Sequence, residues 1–454
     1  MGLKFFITQK LGVDKAIFYT LLSRGLSIST ALFTVFFIAK NLSPEEQGFY
    51  YTFGSIVALQ VFFELGLTGI ITQFVAHEAS HLKLNSEFKM EGDELYRSRL
   101  SSLLKFCAKW YLVVAALVFI ALAIFGSLFF ARYSEDHKDI EWFLPWILLA
   151  VGTAFHLLLS PITAFLEGLG KVKEVAQLRF VQQIVHPVVV WGGLCIGGKL
   201  FVSGADAFIK VFVVAVIIAK SSFFKILRNI WKDLGKEKVL YMKEIFPYQW
   251  RIALSWISGY FIFQLFNPVL FATEGAKVAG QMGMTLAALN GLGALTQSWI
   301  NTKVPRLSGF IAQKDYKHLD ELFGKTMKQM LAIGTACLLA LVAVIYVIQK
   351  FDISFFGMHI GDRFLPIIPF SLMAWAIWTM FPINCWATYL RCHKKEPLLL
   401  NSVVMGILCC ISTVTFGSLY GVYGITIAYA LLRIVSLIWI NYVYRYKKKE
   451  WHNG

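Results

Sequence analysis

Charged residues are scarce in this chain of 454 residues, and their scarcity excludes most soluble folds. Only 15% of the residues are Asp, Glu, Lys or Arg, whereas 57% are hydrophobic and 16% are aromatic. A soluble all-helical protein would need a polar face on each helix, and most of the apolar stretches here have none. The sequence therefore predicts a helical membrane protein.

Recognisable catalytic and metal-binding patterns are missing as well. The chain contains no glycine-rich phosphate loop, no H-E-x-x-H pattern and no nucleophile elbow. Its seven cysteines include no C-x-x-C pair, which is typical of reduced packing residues. No polar segment is long enough to form an ATPase domain. We therefore expect a protein that is not an enzyme and that holds no metal or organic cofactor, with H⁺ or Na⁺ as the candidate coupling ion.

Twelve apolar runs occupy most of the chain, and each is long enough to cross a hydrocarbon core of roughly 30 Å as a helix. They lie at residues 16–39, 49–75, 104–131, 142–166, 177–198, 203–224, 247–272, 279–302, 326–349, 364–389, 397–418 and 421–444. The expected fold class is thus an all-α polytopic membrane protein with about 12 transmembrane helices.

The positive charges sort onto one set of loops. Of the 43 Lys and Arg residues, 31 fall in the termini and the even-numbered loops. Eight, among them Lys210, fall on the side of the odd-numbered loops. By the positive-inside rule, both termini and the even-numbered loops are expected in the cytoplasm. Topology therefore accounts for the formal charge of +16, and no nucleic-acid partner is expected.

The two halves of the chain show a weak internal repeat. Gly48 and Gly280 each follow a polar turn at the start of a predicted helix, and they are 232 residues apart. An offset of half the chain maps six helices onto six in the same orientation, so the repeats would be related by an axis along the membrane normal. We predict six-helix lobes at residues 1–232 and 243–454, joined by a cytoplasmic linker at 233–242.

The segment NLSPEEQGFYYTFG, residues 41–54, has the pattern of a helix start. Ser43 is placed to accept at the N-cap, Pro44 suits the first helical position, and Glu46 follows three residues after the serine. This spacing predicts a capping box that opens the second helix, rather than a pair of catalytic acids.

Two arginines inside apolar runs are the main candidates for ligand binding. An ionised group at the centre of a membrane helix costs at least ~2.5 kcal/mol, so such residues are functional candidates. Arg24 shares a polar stripe with Ser27 in the first run, and Arg251 lies near the start of the seventh. Their guanidinium groups would suit an anionic headgroup in a central cavity. The alternative is that each pairs with a carboxylate or extends to the cytoplasmic surface.

Other polar residues in the runs have two interpretations each. Glu64, in the middle of the second run, is either a structural partner for Arg24 or a protonatable coupling site. Gln297 and Asn301 are candidates for lining the same cavity, and helix–helix hydrogen bonding is their alternative role.

Four segments resemble one transporter family. They are residues 42–50, 63–67, 166–171 and 304–315, which read LSPEEQGFY, FELGL, LEGLGK and VPRLSGFIAQKD. They are similar to segments of the polysaccharide and O-antigen repeat-unit flippases of the multidrug/oligosaccharidyl-lipid/polysaccharide exporter (MOP) superfamily. The turn at 273–276 and the loop at 389–397 depart from the family pattern, so the two lobes need not be functionally equivalent.

The resemblance implies a flippase in the bacterial inner membrane. It would move undecaprenyl-pyrophosphate-linked oligosaccharide units to the periplasmic leaflet by alternating access, and it implies the lipid-linked oligosaccharide, the bilayer and other polysaccharide-assembly membrane proteins as partners. A drug/cation antiporter of the same superfamily is the alternative. A membrane glycan polymerase or ligase is less favoured, because the sequence lacks the large outward loop expected of one.

Overall fold

The computed structural model describes residues 15–135, 137–233, 235, 237–355, 358–393 and 395–453, apart from some side chains of the first helix. The described chain is almost entirely helical. Its helices are α1 (Lys15–Asn41), α2 (Pro44–Val57), α3 (Val61–Glu64), α4 (Leu67–Ala79), α5 (Glu94–Ala121), α6 (Ser127–Tyr133), α7 (Phe143–Gly168), α8 (Val172–Cys195), α9 (Phe201–Lys220), α10 (Phe223–Lys232), α11 (Phe246–Phe263), α12 (Phe266–Glu274), α13 (Ala276–Asn301), α14 (Val304–Ala312), α15 (Tyr316–Lys350), α16 (Ile367–Cys392) and α17 (Leu399–Asn453).

Two short antiparallel hairpins complete the structure: β1 (Leu82–Leu84) with β2 (Met90–Gly92), and β3 (Ser354–Phe355) with β4 (Met358–His359). Each of the twelve predicted apolar runs is helical over most of its length. Seven helices of the described chain are long and apolar enough to cross a membrane, and the bent combination of α2–α3 with α4 brings the number to eight. The predicted all-helical membrane fold is confirmed.

Packing divides the chain into two compact units. Within the described residues, unit 1 comprises 15–27, 59–132 and 139–256, and unit 2 comprises 28–58, 133–138 and 257–453. The lobe boundaries predicted from the sequence repeat, with a linker at 233–242, stay a prediction. Helices α1 and α11 each contribute residues to both units.

Unit 1 contains closely packed helices whose contacts depend on small residues. A Cβ at Gly152 of α7 would lie 2.6 Å from the Cβ of Ala207, and one at Gly168 would lie 2.6 Å from the Cβ of Val75. The Thr72 hydroxyl also donates to the carbonyl oxygen of Ala164 at 3.1 Å. Small-residue contacts of this kind are typical of membrane helix interfaces. They give the motif at 166–171 a packing role.

The predicted capping box at the start of α2 is confirmed. Ser43 accepts from the backbone N–H of Glu46 at 3.0 Å, and the carboxylate of Glu46 accepts from the N–H of Ser43 at 2.9 Å. These two bonds satisfy backbone donors that the helix start would otherwise leave unpaired. The segment therefore fixes where α2 begins.

The segment after α10 is held along the start of α5 in unit 1. The hydroxyls of Ser101 and Ser98 donate to the carbonyl oxygens of Asp233 and Glu237, both at 2.7 Å. Ser102 accepts from the backbone N–H of Val239 at 3.0 Å. Three hydrogen bonds thus hold Asp233, Glu237 and Val239 against the start of α5.

Candidate functional site

A break in the second apolar run places a carboxyl group inside unit 1. Helix α3 ends at Glu64, because Leu65 (φ 53°) and Gly66 (φ 67°) both adopt the left-handed conformation. Gly66 is needed there, since a Cβ would lie 2.6 Å from Ile252 Cγ2. Helix α4 then starts at Leu67 without a side-chain cap. Glu64 therefore lies beside a helix N-terminus, where the helix dipole favours negative charge.

Hydroxyl groups surround the Glu64 carboxylate. The Thr68 hydroxyl donates to Glu64 Oε1, and the Tyr111 hydroxyl lies 3.4 Å from the same oxygen. Thr68 and Tyr111 are themselves 3.3 Å apart, oxygen to oxygen. No Lys or Arg forms an ion pair with Glu64 among the side chains that the structure describes. A carboxyl group in this setting can take up and release a proton without breaking an ion pair.

A second polar cluster in unit 1 joins α8 and α9. Asp206 accepts from Lys210 Nζ at 2.6 Å through one oxygen and lies 2.7 Å from His186 Nδ1 through the other. The Asp206 side chain is 14% exposed, so this ion pair is largely buried. Sequence reasoning missed Asp206, and it was wrong to count Lys210 in an outward loop: the residue lies in the middle of α9. Asp206 and Lys210 are four residues apart, a spacing that suits an ion pair on one helix face, and this was the signal in the sequence that could have identified the pair.

Of the two predicted arginines, the structure describes the side chain of Arg251 but not that of Arg24. The side chains of Arg24 and Ser27 lie outside the described residues, although their backbone belongs to α1. Arg251 is exposed on α11, and its guanidinium carbon lies 5.4 Å from the centre of the Trp250 ring. No ion pair of Arg251 occurs in the described part of unit 1. That the two arginines meet in a cavity stays a prediction.

The two predicted amides are neighbours on α13 in unit 2. Gln297 Nε2 lies 3.4 Å from Asn301 Oδ1, one turn further along the same helix, and both side chains are partly buried. The contact is at the long end of hydrogen-bond distance, which leaves both amides available to other partners. Their assignment to a substrate cavity stays a prediction. Within the described residues, no group of three His, Cys, Asp or Glu side chains could hold a metal ion.

Known transporter structures resemble this chain over nearly its whole length. A multidrug resistance MATE family transporter of the MOP superfamily matches in its inward-facing conformation with a TM-score of 0.60 at 14% identity, covering 98% of each chain. An outward-facing structure of such a transporter matches with a TM-score of 0.53 at 14% identity and the same coverage. A MOP superfamily transporter from Pyrococcus furiosus, described as having a binding pocket of reversed polarity that suggests a different function, matches with a TM-score of 0.52 at 14% identity over 97% of this chain and 98% of the other.

Sequence comparisons add no closer relative. No family model matches the chain, and no curated protein matches it. The resemblance to O-antigen flippases is therefore not confirmed at the level of that family. What the structural comparisons establish is the architecture: this chain has the fold of the MOP superfamily transporters.

Proposed function

We propose that this chain is an alternating-access membrane transporter and that Glu64 is its proton-binding residue. The observation that carries the proposal is the Glu64 carboxyl group at the break between α3 and α4, held by two hydroxyls and by no described cation. Protonation would neutralise the carboxyl group, and the energetic penalty of keeping it in the membrane would fall. A change of that kind is suited to biasing a transporter between two states.

The first substrate candidate is a drug-like organic cation exchanged for protons. Its support is the likeness to multidrug resistance MATE transporters, which favours this candidate over the flippase. A carboxyl group that alternates between a proton and a cationic ligand would couple the two fluxes directly. Glu64 is the described acidic residue of unit 1 that would serve in this role, because Asp206 is already paired with Lys210.

The second candidate is the lipid-linked oligosaccharide. Its support is the sequence resemblance together with the exposed guanidinium of Arg251, which forms no ion pair among the described residues and would suit a pyrophosphate group. The structural neighbour with a binding pocket of reversed polarity is a precedent for a second ligand class on this fold. In this case Arg24 and Arg251 would bind the headgroup, while the lipid tail would remain in the bilayer.

The test uses the full chain in proteoliposomes with an imposed pH gradient. Efflux of a fluorescent organic cation should follow the gradient, and Glu64→Gln should abolish that dependence, whereas Glu94→Gln, at the exposed start of α5, should leave it unchanged. Gradient-driven transport that is equally fast in Glu64→Gln would contradict the role of Glu64. No transport of any organic cation, together with loss of surface polysaccharide in Arg24→Glu and Arg251→Glu cells at normal expression, would decide for the flippase.

A further inference from the structure

A buried arginine in unit 2 has no carboxylate partner among the residues that the structure describes. Arg433 lies on the second half of α17 and is 4% exposed. It follows the helix break at Gly421 by twelve residues, about 18 Å at 1.5 Å per residue, which is more than halfway through a core of roughly 30 Å. A guanidinium keeps its charge under all physiological conditions. The position therefore holds a permanent positive charge deep in the membrane.

The described contacts of Arg433 do not neutralise that charge. Its Nε lies 3.4 Å from Thr379 Oγ1, and one terminal nitrogen contacts the sulfur of Met380. The Thr379 hydroxyl gives its own proton to the carbonyl oxygen of Ala376 at 2.6 Å. A guanidinium has five N–H donors, and a distant hydroxyl and a thioether are weak acceptors for two of them. No Asp or Glu pairs with Arg433 within the described residues.

A buried donor without a partner lies on the same helix interface, on Asn401. Asn401, in the first half of α17, accepts from the Ser436 hydroxyl at 3.2 Å, but its amide nitrogen is buried and has no partner. Ser436 lies one turn after Arg433, so this donor and the guanidinium occupy adjacent levels of one interface. Asn401 is 5% exposed and Ser436 is 1% exposed. The interface thus combines a buried guanidinium with a buried amide nitrogen that has no partner, and both groups can donate to an anion.

Unit 1 shows how the same chain handles a membrane cation when a carboxylate is present. Lys210 is paired with Asp206 at 2.6 Å. Leaving a buried charge without its partner is strongly destabilising, so Arg433 needs an equivalent counter-charge. We propose that Arg433, with the hydroxyl of Thr379 beside it, binds a small inorganic anion of the size of chloride within unit 2. Because the guanidinium is only 4% exposed, a small anion would require less displacement of the surrounding side chains than a phosphate or sulfate would.

This site goes beyond the proposed function and does not depend on it. An anion bound at Arg433 would make folding and transport sensitive to halide, whichever substrate the protein carries. Failure of the anion-site proposal is also distinguishable from failure of the transport proposal, because anion binding is measured without a substrate or a gradient. The site lies in unit 2, whereas Glu64 lies in unit 1.

The test is equilibrium binding of radiolabelled chloride to the purified full chain, with gluconate as the inert anion. The native protein should show saturable binding, and bromide should displace the label at lower concentration than phosphate does. Arg433→Gln should weaken binding by about tenfold or more, the equivalent of about 1.4 kcal/mol. Arg445→Gln is the matched control, because Arg445 lies exposed on the same helix and donates to the side chain of Asn441 at 3.1 Å.

Two further variants protect the test against misfolding. Arg433→Lys keeps the charge but loses the planar fork, so it should fold and bind chloride more weakly than the native protein. Thr379→Val should weaken binding without removing the charge. The proposal is overturned if the native protein shows no saturable chloride binding, if Arg433→Lys binds as tightly as native, or if phosphate displaces chloride as well as bromide does.

Discussion

Gln47 Nε2 donates to the carbonyl oxygen of Gly280 at 2.8 Å, joining the start of α2 to the start of α13 within unit 2. The same nitrogen donates to the carbonyl oxygen of Arg363 at 3.1 Å. Gln47 is 1% exposed, so these bonds form away from water and a lost partner would leave a buried polar group unsatisfied. The segment 41–54 thus has two structural tasks: its capping box starts α2, and its glutamine holds the neighbouring helix.

Gly48→Ala should destabilise unit 2. A Cβ at this position would lie 1.9 Å from the carbonyl oxygen of Ala276, a backbone atom that can move only if α2 and α13 separate. Overpacking of this kind costs about 1–3 kcal/mol, and a clash with backbone lies toward the upper end. Thermal unfolding of the detergent-purified protein should show a lower midpoint. Gly54→Ala is the control, because Gly54 lies on the same helix and a Cβ there would meet nothing within 4 Å. Equal midpoints in the two variants would refute the contact between Gly48 and Ala276.

Arg99→Ala should cost far more stability than loss of a surface pair. Arg99 donates to Glu78 at 3.1 Å and to Glu244 at 2.5 Å, and the Glu78 side chain is 2% exposed. Removing the arginine would leave a buried carboxylate unpaired, at a cost of about 3–5 kcal/mol. Lys89→Ala, which breaks an exposed pair with Glu87, should change stability little, because solvent screens that pair. Unfolding midpoints measured side by side test the ranking, and a similar small loss in both variants would contradict it.

The imidazole of His359 should titrate above its ordinary range. Asp352 lies 2.8 Å from His359 Nδ1, and this hydrogen bond and the negative charge raise the pKa of His359 above 6.5. The pair therefore adds stability at low pH, and that contribution is lost as the pH rises through the raised pKa. Because the histidine is exposed, the contribution of the pair to the stability of the whole protein is small. Proton NMR of the labelled full chain should report the shift, and Asp352→Asn should lower the pKa. Identical titration curves in the two proteins would rule the pairing out.

Asp206→Asn should be rescued by a second change at Lys210. Asp206→Asn alone would leave the Lys210 ammonium, in the middle of α9, without the Asp206 carboxylate that neutralises it. The unfolding midpoint should therefore fall. In Asp206→Asn/Lys210→Met the unpaired charge is gone, and the midpoint should return most of the way to the native value. If the double variant loses as much stability as Asp206→Asn and Lys210→Met lose together, the two residues are not coupled.

Local patterns were the reliable part of the sequence analysis. The capping box of Ser43 and Glu46 could be predicted because its atoms lie within one turn, so no tertiary information is needed. The apolar runs were equally clear, because a helix in lipid must be apolar around its circumference. Those two signals were sufficient for the helical membrane fold, including its approximate helix boundaries.

Contacts between distant segments could not be predicted from spacing. Tyr111, which faces Glu64, lies 47 residues further along the chain. In the sequence Arg433 is one charged residue in an apolar run, and only the packing of Thr379 and Met380 around it shows that it has no carboxylate partner among the described residues. The break at Leu65 was missed because a left-handed leucine is uncommon and carries no composition signal.

One glycine decides how many times the chain crosses the bilayer. Helix α17 has 55 residues, about 80 Å if it were straight, which is far longer than a membrane is thick. At Gly421 (φ 57°) the chain reverses, and the carboxylate of Glu274 accepts from the N–H of Val422 at 3.1 Å. The pairing of Asn401 with Ser436 shows that the two halves run antiparallel. Without the reversal the number of membrane crossings would differ by one. With it, His452 returns to within 3.1 Å of the Tyr389 hydroxyl at the end of α16. A single amide–carboxylate contact thereby helps to return the end of α17 to the end of α16.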